Sequence, residues 1–206
     1  MNSNPPKVLG VLLAGGRSSR MGGEAKYLLS LNGCTLLERA IARAQPQVSR
    51  LLLNANEDPA RLTGFGLPVA GDVVGEHAGP LAGVLTAMEW AERNAVDCPW
   101  IASFATDTPF FPTDLVPRLM AALEAEGADL ARAASGGKAH PVFGLWPVRL
   151  AKDLRRALTE EAIRKIDIWT ARYPMAEVDF PTDPADPFFN VNRPEDMERL
   201  KKESRS

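Results

Sequence analysis

The sequence has few of the residues that build metal centres or disulfide frameworks. Of its 206 residues, two are cysteines and two are histidines. Cys34 and Cys98 lack the spacing of zinc ligands and do not suggest a disulfide framework. His77 and His140 are far apart in the chain, and no clustered cysteines accompany them. We therefore expect a reducing environment and no centre built from histidine and cysteine.

Long apolar runs and an excess of charge of either sign are also missing. No apolar stretch is long enough to cross a membrane, and residues 1–6 are polar, without the apolar core of a signal peptide. Lys and Arg number 24 against 26 Asp and Glu, a net charge of −2. This balance gives no argument for binding nucleic acid or a membrane. We expect a cytoplasmic protein that binds neither.

Two familiar phosphate-binding motifs are absent, although a glycine-rich stretch follows an apolar run. Residues 8–26 read VLGVLLAGGRSSRMGGEAK. A P-loop ends in Gly-Lys-Ser/Thr and a dinucleotide-binding motif reads Gly-x-Gly-x-x-Gly, whereas these glycines stand in adjacent pairs. The apolar run predicts a buried strand, and the glycines allow a concave anion site after it. Because Arg17, Arg20 and Lys26 lie in the same stretch, we predict a phosphate loop of another kind.

The rest of the chain alternates between strand and helix patterns. Strands are predicted at residues 8–13, 50–56, 67–70, 100–105, 128–134, 141–146 (antiparallel) and 175–180. Helices are predicted at residues 35–44, 78–93, 114–126, 148–159, 161–172 and from about 194. Alternation at this interval favours βαβ units, hence an α/β fold with a mostly parallel sheet. At 206 residues without an internal linker, we expect a single domain over residues 1–206.

Polar residues and glycine stand where the predicted strands end. Gly15, Asn54, Asp72 and Asp107 occupy these positions, and ligands of such sheets bind beyond the carboxyl ends of the strands. A carboxylate there can hold Mg²⁺ that also contacts phosphate oxygens. Asp107 precedes Pro109 at a distance that equally suits an ordinary turn or helix cap, so the residues alone leave both interpretations open.

The glycine-rich stretch resembles the signature of the molybdenum cofactor guanylyltransferases, Leu-Ala-Gly-Gly-x-x-x-Arg-Met-Gly-Gly-x-Asp-Lys. Residues 78–83, 106–109 and 189–196 resemble further segments of that family. One departure is Ala25, where the family usually has an aspartate. The resemblance implies a three-layer, Rossmann-like nucleotidyltransferase domain, with a nucleotide-binding half at about 7–110 and a molybdopterin-binding half at about 111–200.

The activity implied by this resemblance is transfer of GMP from GTP to the terminal phosphate of molybdenum-molybdopterin, with Mg²⁺ as cofactor and pyrophosphate as product. The implied catalytic residues are Arg20, Lys26 and Asp107, and Asp107 is the implied metal ligand. The implied nucleotide contacts are Leu13, Ala14, Gly15, Gly16, Lys26, Asn54, Asp72 and Asp107. The implied contacts to the second substrate are Gly79, Gly83, Lys165, Asn190 and Asn192.

Several of these assignments have structural alternatives. Gly79 and Gly83 equally suit close helix packing, Asn192 suits a helix cap, and Lys165 suits a solvated helix face. A cytidylyltransferase that uses CTP is an alternative function. A non-catalytic carrier of nucleotide or cofactor is another, and Ala25 keeps it open. The resemblance also implies transient contact with proteins that insert or deliver the cofactor.

Overall fold

The computed structural model describes residues 7–14, 20–21, 24–75, 79–192 and 194–203. Its strands are β1 (Val8–Leu13), β2 (Arg20–Met21), β3 (Glu24–Ala25), β4 (Ser30–Leu31), β5 (Cys34–Thr35), β6 (Arg50–Asn54), β7 (Val69–Ala70), β8 (Trp100–Ala105), β9 (Leu130–Ser135), β10 (Lys138–Pro147) and β11 (Met175–Phe180). Its α-helices are α1 (Leu36–Ala44), α2 (Pro80–Asn94), α3 (Leu115–Glu126), α4 (Ala151–Thr159), α5 (Ile166–Thr170) and α6 (Pro194–Glu203).

Seven of these strands form one sheet, in the order β11-β9-β10-β8-β1-β6-β7. All neighbouring pairs are parallel except those of β10, which runs antiparallel to both β8 and β9. The expected α/β architecture with a mostly parallel sheet is therefore confirmed. Because β8, β1, β6 and β7 run in one direction, their carboxyl ends meet at a single edge.

Helices cover both faces of the sheet, and the side chains of β1 show why. Val8 and Leu12 pack with α1 and α3 on one face, whereas Leu9 and Val11 pack with α2 and α4 on the other. Successive strand residues point to opposite faces, so a strand buried on both sides must be apolar throughout. Gly10 breaks the run because a Cβ there would lie 2.7 Å from the Leu51 side chain.

A third, smaller apolar cluster fixes the C-terminal segment to the first half of the chain. Val191, Met197 and Leu200 pack against Leu31 and Leu36, which belong to β4 and α1. Hydrophobic contact between segments so far apart in the sequence fixes where residues 189–192 run. This cluster therefore brings the C-terminal asparagines to the same region as the N-terminal glycine-rich stretch.

Local sequence signals placed most element ends correctly. Thr35 and Glu38 form the predicted capping box of α1, and Asn32-Gly33 forms a turn with both φ angles positive. Gly127 ends α3 in the left-handed conformation. The strand predicted at 128–134 lies at 130–135, and the one predicted at 50–56 ends at residue 54.

The helix predicted over residues 161–172 is wrong. Only Ile166–Thr170 is α-helical in this segment. Ala162 takes a positive φ of 53°, which an α-helix does not allow, and the Ile163 amide donates back to the Ala157 carbonyl (2.9 Å). The Arg164 guanidinium donates to the Leu158 carbonyl (2.6 Å). The chain therefore reverses after α4 instead of continuing as a helix.

Within the residues that the structure describes, no helix is both long enough and apolar enough to cross a membrane.

Candidate active site

The carboxyl edge formed by β8, β1, β6 and β7 carries the strand-end residues predicted to bind nucleotide. Leu13 ends β1, Asn54 ends β6, and Asp107 follows β8 by two residues. The Ala14 amide donates to the Asn54 carbonyl (2.9 Å), and the Thr106 hydroxyl donates to the Leu13 carbonyl (3.2 Å). These two bonds hold the backbone that leads into the glycine-rich stretch.

The Lys26 ammonium group is buried at this edge between two oxygen acceptors. Only 5% of Lys26 is exposed. Its Nζ donates to Oδ2 of Asp107 and to Oδ1 of Asn192, each at 2.8 Å. A buried charge is costly unless it is paired and hydrogen-bonded, and these contacts meet that requirement. A cation, a carboxylate and an amide at one place can bind phosphate oxygens and a divalent ion.

The residue after Lys26 anchors this lysine to the core. Lys26–Leu28 form a single 3₁₀ turn, and Tyr27 is 2% exposed. Burial raises the pKa of the Tyr27 hydroxyl above its usual value, and the nearby Glu57 carboxylate raises it further. No well-formed hydrogen bond to this hydroxyl is present within the described ranges. Tyr27 therefore stays neutral and acts as an apolar anchor.

The C-terminal segment 190–192 runs beside the residues that follow β8. The Val191 amide donates to the Asp107 carbonyl (2.8 Å), and the Thr108 hydroxyl donates to Oδ1 of Asn190. Val191 is buried between the two asparagines. The Asn192 side chain thus contacts Lys26, a predicted nucleotide residue, and the Asn190 side chain contacts Thr108, the neighbour of Asp107.

Asp72 is held by two asparagines from the end of β6. Asn54 Nδ2 donates to Oδ1 of Asp72 (2.9 Å) and to the Ala70 carbonyl (3.1 Å). Asn56 Nδ2 donates to Oδ2 of Asp72 (2.9 Å), and Asn56 Oδ1 accepts from the Asp72 amide (2.7 Å). The sequence analysis missed Asn56, although the Asn-Ala-Asn spacing at a strand end was the available signal. These bonds fix the Asp72 carboxylate in one orientation.

Gly83 lets helix α2 approach this pair of strands closely. A Cβ built on Gly83 would overlap Oδ1 of Asn54 and lie 2.5 Å from Cδ2 of Leu13. Real Cβ atoms do not make such contacts, so any side chain at position 83 must displace Asn54 or Leu13. Gly83 therefore has the close-packing role that the sequence allowed. It lets α2 lie against Asn54 and Leu13, two predicted nucleotide contacts.

We expect Gly83→Ala to destabilise the protein by about 1–3 kcal/mol, the usual cost of overpacking. It should also weaken nucleotide binding because Asn54 would no longer hold Asp72. Thermal unfolding and GTP titration measure the two effects. Gly64→Ala is the matched control, since nothing lies within 4 Å of a Cβ at Gly64. Equal unfolding temperatures for the two variants would contradict the packing argument.

Gly79 and Lys165 lie near each other in the chain's fold. Gly79 precedes α2 with φ 75°, and a Cβ there would lie 3.4 Å from the Arg164 carbonyl oxygen. Lys165 follows Arg164, is exposed, and precedes α5 without belonging to a longer helix. Lys165 is therefore solvent-exposed, as the structural alternative expected, although it stands at the N-cap position of the short helix α5 instead of lying on the face of a longer one. Contact of Gly79 and Lys165 with the second substrate stays a prediction.

The metal-ligand prediction rests on Asp107, and its surroundings suit a magnesium ion carried by a nucleotide. Its side chain is 30% exposed, and the described residues contain no group of three or more His, Cys, Asp or Glu placed to hold a metal. Mg²⁺ commonly binds one or two carboxylates together with substrate phosphates and water. A single accessible carboxylate at the strand edge fits that mode and does not fit an all-protein metal cage.

Part of the predicted loop lies outside the described residues, namely Gly15 and Gly16. Arg20 is described only as a strand residue of β2, paired with Ala25 of β3, so its predicted catalytic role stays a prediction. Ala25, which replaces the family's usual aspartate, is 8% exposed and packs within a hydrophobic core cluster. An alanine at this position is therefore consistent with its apolar surroundings.

His140 belongs to a hydrogen-bonded and stacked cluster in the second half of the chain. Its ring stacks on Phe188 with centroids 4.4 Å apart, and its Nε2 lies 2.7 Å from Oγ of Ser135, which donates to Oδ1 of Asp186 (2.8 Å). Burial lowers the pKa of His140, although the Asp186 charge acts in the opposite direction. Because the serine stands between the other two, this is not the order of a catalytic triad. Residue 77 lies outside the described ranges.

Comparison with known proteins identifies the family. A family model described as the MobA-like NTP transferase domain matches residues 10–173. A molybdenum cofactor guanylyltransferase of Nitrobacter hamburgensis is 52% identical over 192 residues, which cover 93% of this chain and 92% of the relative. The chain belongs to the molybdenum cofactor guanylyltransferases. It is therefore a nucleotidyltransferase, as the glycine-rich signature predicted.

Solved structures support the fold of this guanylyltransferase family member. A molybdopterin-guanine dinucleotide biosynthesis protein A of Archaeoglobus fulgidus superposes with a TM-score of 0.72 at 22% identity, over 96% of this chain and 98% of that one. A Mycobacterium tuberculosis protein crystallised in complex with manganese superposes with a TM-score of 0.67 at 18% identity, over 97% and 100% of the two chains. At these identities the likeness shows the nucleotidyltransferase fold alone.

Proposed function

We propose that this chain transfers GMP from GTP to the terminal phosphate of molybdenum-molybdopterin. The observation that carries the proposal is the convergence of Lys26, Asp107 and Asn192, which joins the nucleotide loop, the end of β8 and the C-terminal segment. The first two are the cation and carboxylate that nucleotidyl transfer needs. The third belongs to the segment that resembles the family's molybdopterin-binding residues.

The reaction requires alignment and charge neutralisation more than proton transfer. An oxygen of the molybdopterin phosphate attacks the α-phosphorus of GTP and forms a new P–O bond. The bond from the α-phosphorus to the bridging oxygen breaks, and its electron pair leaves with pyrophosphate. Because the attacking oxygen is already anionic, no strong general base is required. The chain must therefore supply positive charge and fixed geometry.

In this proposal the nucleotide is bound by residues at and after the carboxyl ends of the strands. Lys26 and Arg20 offset charge on the triphosphate and the departing pyrophosphate. The nucleotide lies along the loop from Leu13 through Ala14 to Gly15 and Gly16. Because the Ala14 amide already donates to the Asn54 carbonyl, the backbone amides proposed to bind phosphate are those of Gly15 and Gly16. Asp72, held by Asn54 and Asn56, presents a fixed carboxylate whose lone pairs can accept from a nucleoside hydroxyl or base N–H.

Asp107 is the residue proposed to hold Mg²⁺. An ion held by this carboxylate would supply positive charge where negative charge develops in the transfer. The manganese in a structurally similar protein supports a divalent metal for this fold.

The molybdopterin-binding role falls to the second half of the chain, about residues 111–200, together with Gly79 and Gly83. Lys165 offers an exposed cation, and Asn190 and Asn192 offer amide groups beside Asp107. We further propose that the protein acts in the cytoplasm and passes its product to proteins that insert or deliver the cofactor.

A turnover assay with purified protein, Mg²⁺, molybdopterin and either GTP or CTP tests the proposal. We expect pyrophosphate release with GTP and a product carrying the labelled α-phosphate. Preference for CTP would overturn the guanylyl assignment in favour of a cytidylyltransferase. Binding of GTP without any pyrophosphate release would instead support a non-catalytic carrier.

A further inference from the structure

We propose that Asn192 is a positioning residue for Lys26, so that the C-terminal segment contributes to GTP binding as well as to the second substrate. This inference rests on the proposed function, in which Lys26 contacts the triphosphate. The observation behind it is the hydrogen bond from Nζ of Lys26 to Oδ1 of Asn192, at 2.8 Å.

The need for a second acceptor follows from the burial of Lys26. An ammonium group has three N–H donors, and this one is 5% exposed. Asp107 supplies one acceptor, but the same carboxylate is the proposed metal ligand. A metal ion at Asp107 would draw on the oxygen charge that now attracts Lys26. Asn192 Oδ1 is a neutral acceptor that would keep Lys26 in place without cancelling its charge.

The position of Asn192 is itself fixed independently of its side chain. Its backbone amide donates to Oδ2 of Asp196 in the first turn of α6 (2.7 Å). The preceding Val191 is buried and bonds the Asp107 carbonyl. Replacing the Asn192 side chain removes none of these contacts. The substitution therefore tests the bond to Lys26 rather than the docking of the segment.

The Asn192 side chain also carries an amide nitrogen, Nδ2, which can donate hydrogen bonds. Its Oδ1 is engaged by Lys26, while the residue as a whole is exposed. The Nδ2 group makes no hydrogen bond among those found in the described part of the chain. The Asn192 amide can therefore hold Lys26 through its oxygen and donate to a phosphate of the second substrate through its nitrogen.

Calorimetric titration of Mg²⁺ and GTP without molybdopterin tests this inference, because a residue serving only the second substrate would not change GTP affinity. We expect Asn192→Ala to weaken GTP binding about tenfold, in the range of one hydrogen bond to a charged group. Asn192→Leu, which keeps the branching at Cγ but has no acceptor, should behave in the same way. Asn94→Ala is the control, since Asn94 is exposed at the C-terminal end of α2 and its Nδ2 donates to the Trp90 carbonyl, away from the site.

A double-mutant cycle with Lys26→Ala separates action through Lys26 from other effects. If Asn192 acts through Lys26, Asn192→Ala should change GTP affinity by less than about twofold in the Lys26→Ala background. An unchanged affinity in the single Asn192→Ala variant, or an equal loss in both backgrounds, would overturn the inference alone. Normal GTP binding by Lys26→Ala would instead overturn the proposed role of Lys26. Unfolding temperatures of all variants show that each is folded under the assay conditions.

Discussion

Asp107→Asn is expected to lower the rate of GTP-dependent pyrophosphate release about 10²–10³-fold, the range seen when one preorganised electrostatic contact is removed. Asparagine keeps the size of the side chain and an oxygen that can accept from Lys26. It loses the negative charge that the proposed metal requires. The Lys26 side chain is only 6% exposed and loses its ion pair, but Asp107 is 30% exposed, and Lys26 keeps oxygen acceptors at Asn192 and at the substituted residue. The loss of stability should therefore be smaller than for a fully buried, unpaired charge. The variant should therefore fold and be inactive.

Two measurements distinguish loss of metal from general damage in this variant. Binding of Mn²⁺ in the presence of GTP, followed by electron paramagnetic resonance, should weaken strongly in Asp107→Asn. Asp97→Asn, which removes only a surface carboxylate paired with Arg50, should keep both metal binding and turnover. An Asp107→Asn enzyme with the full rate of pyrophosphate release would remove Asp107 from the mechanism.

Local patterns predicted much of the fold because they report on neighbouring residues. The apolar run of β1, the capping box at Thr35 and the Asn32-Gly33 turn each act over a few positions. The wrong helix prediction at residues 161–172 also came from a local pattern. Ile163, Ile166, Trp169 and Thr170 have helical spacing, yet Ala162 adopts a left-handed backbone that has no sequence signature in alanine. Hydrogen bonds from Ile163 and Arg164 back to the end of α4, not local propensity, hold that reversal.

Part of the site was predictable from family motifs rather than from local structural patterns. Lys26 and Asp107 stand in segments that resemble family motifs, so each was found from sequence, and the structure places them in contact. Asn56 depends on the register of β6 against β7, which pairs Asn54 with Ala70. The Asn-Ala-Asn spacing marks Asn56 as a polar residue near a strand end, but no local pattern predicts the register that brings it to Asp72. The bond between Lys26 and Asn192 joins residues 166 positions apart, and only the docking of the C-terminal segment produces it.

The buried Lys26 leads to a second prediction of large effect, with opposite consequences for the two ligands of the site. Lys26→Met keeps most of the buried aliphatic stem and removes the charge. We expect pyrophosphate release to fall about 10²–10³-fold, because a cation that offsets triphosphate charge is lost. Asp107, in contrast, loses the ammonium group that now occupies its Oδ2 at 2.8 Å. Since a cation and a metal ion compete for one carboxylate oxygen, Mn²⁺ should bind the nucleotide-free variant at least as tightly as the unmodified protein.

Weaker GTP binding together with undiminished Mn²⁺ binding distinguishes loss of the Lys26 charge from general disruption of the site. A variant that had lost the local structure would bind both GTP and Mn²⁺ more weakly, whereas removal of the ammonium group alone weakens GTP binding and spares Mn²⁺ binding. Lys152→Met, at an exposed position of α4, serves as the control for a lysine-to-methionine change. Full turnover by Lys26→Met would exclude Lys26 from charge neutralisation. Weaker Mn²⁺ binding by a Lys26→Met variant that unfolds at the same temperature as the unmodified protein would show that Lys26 organises Asp107 rather than competing for it, because the carboxylate would then need its ion pair to stay in position.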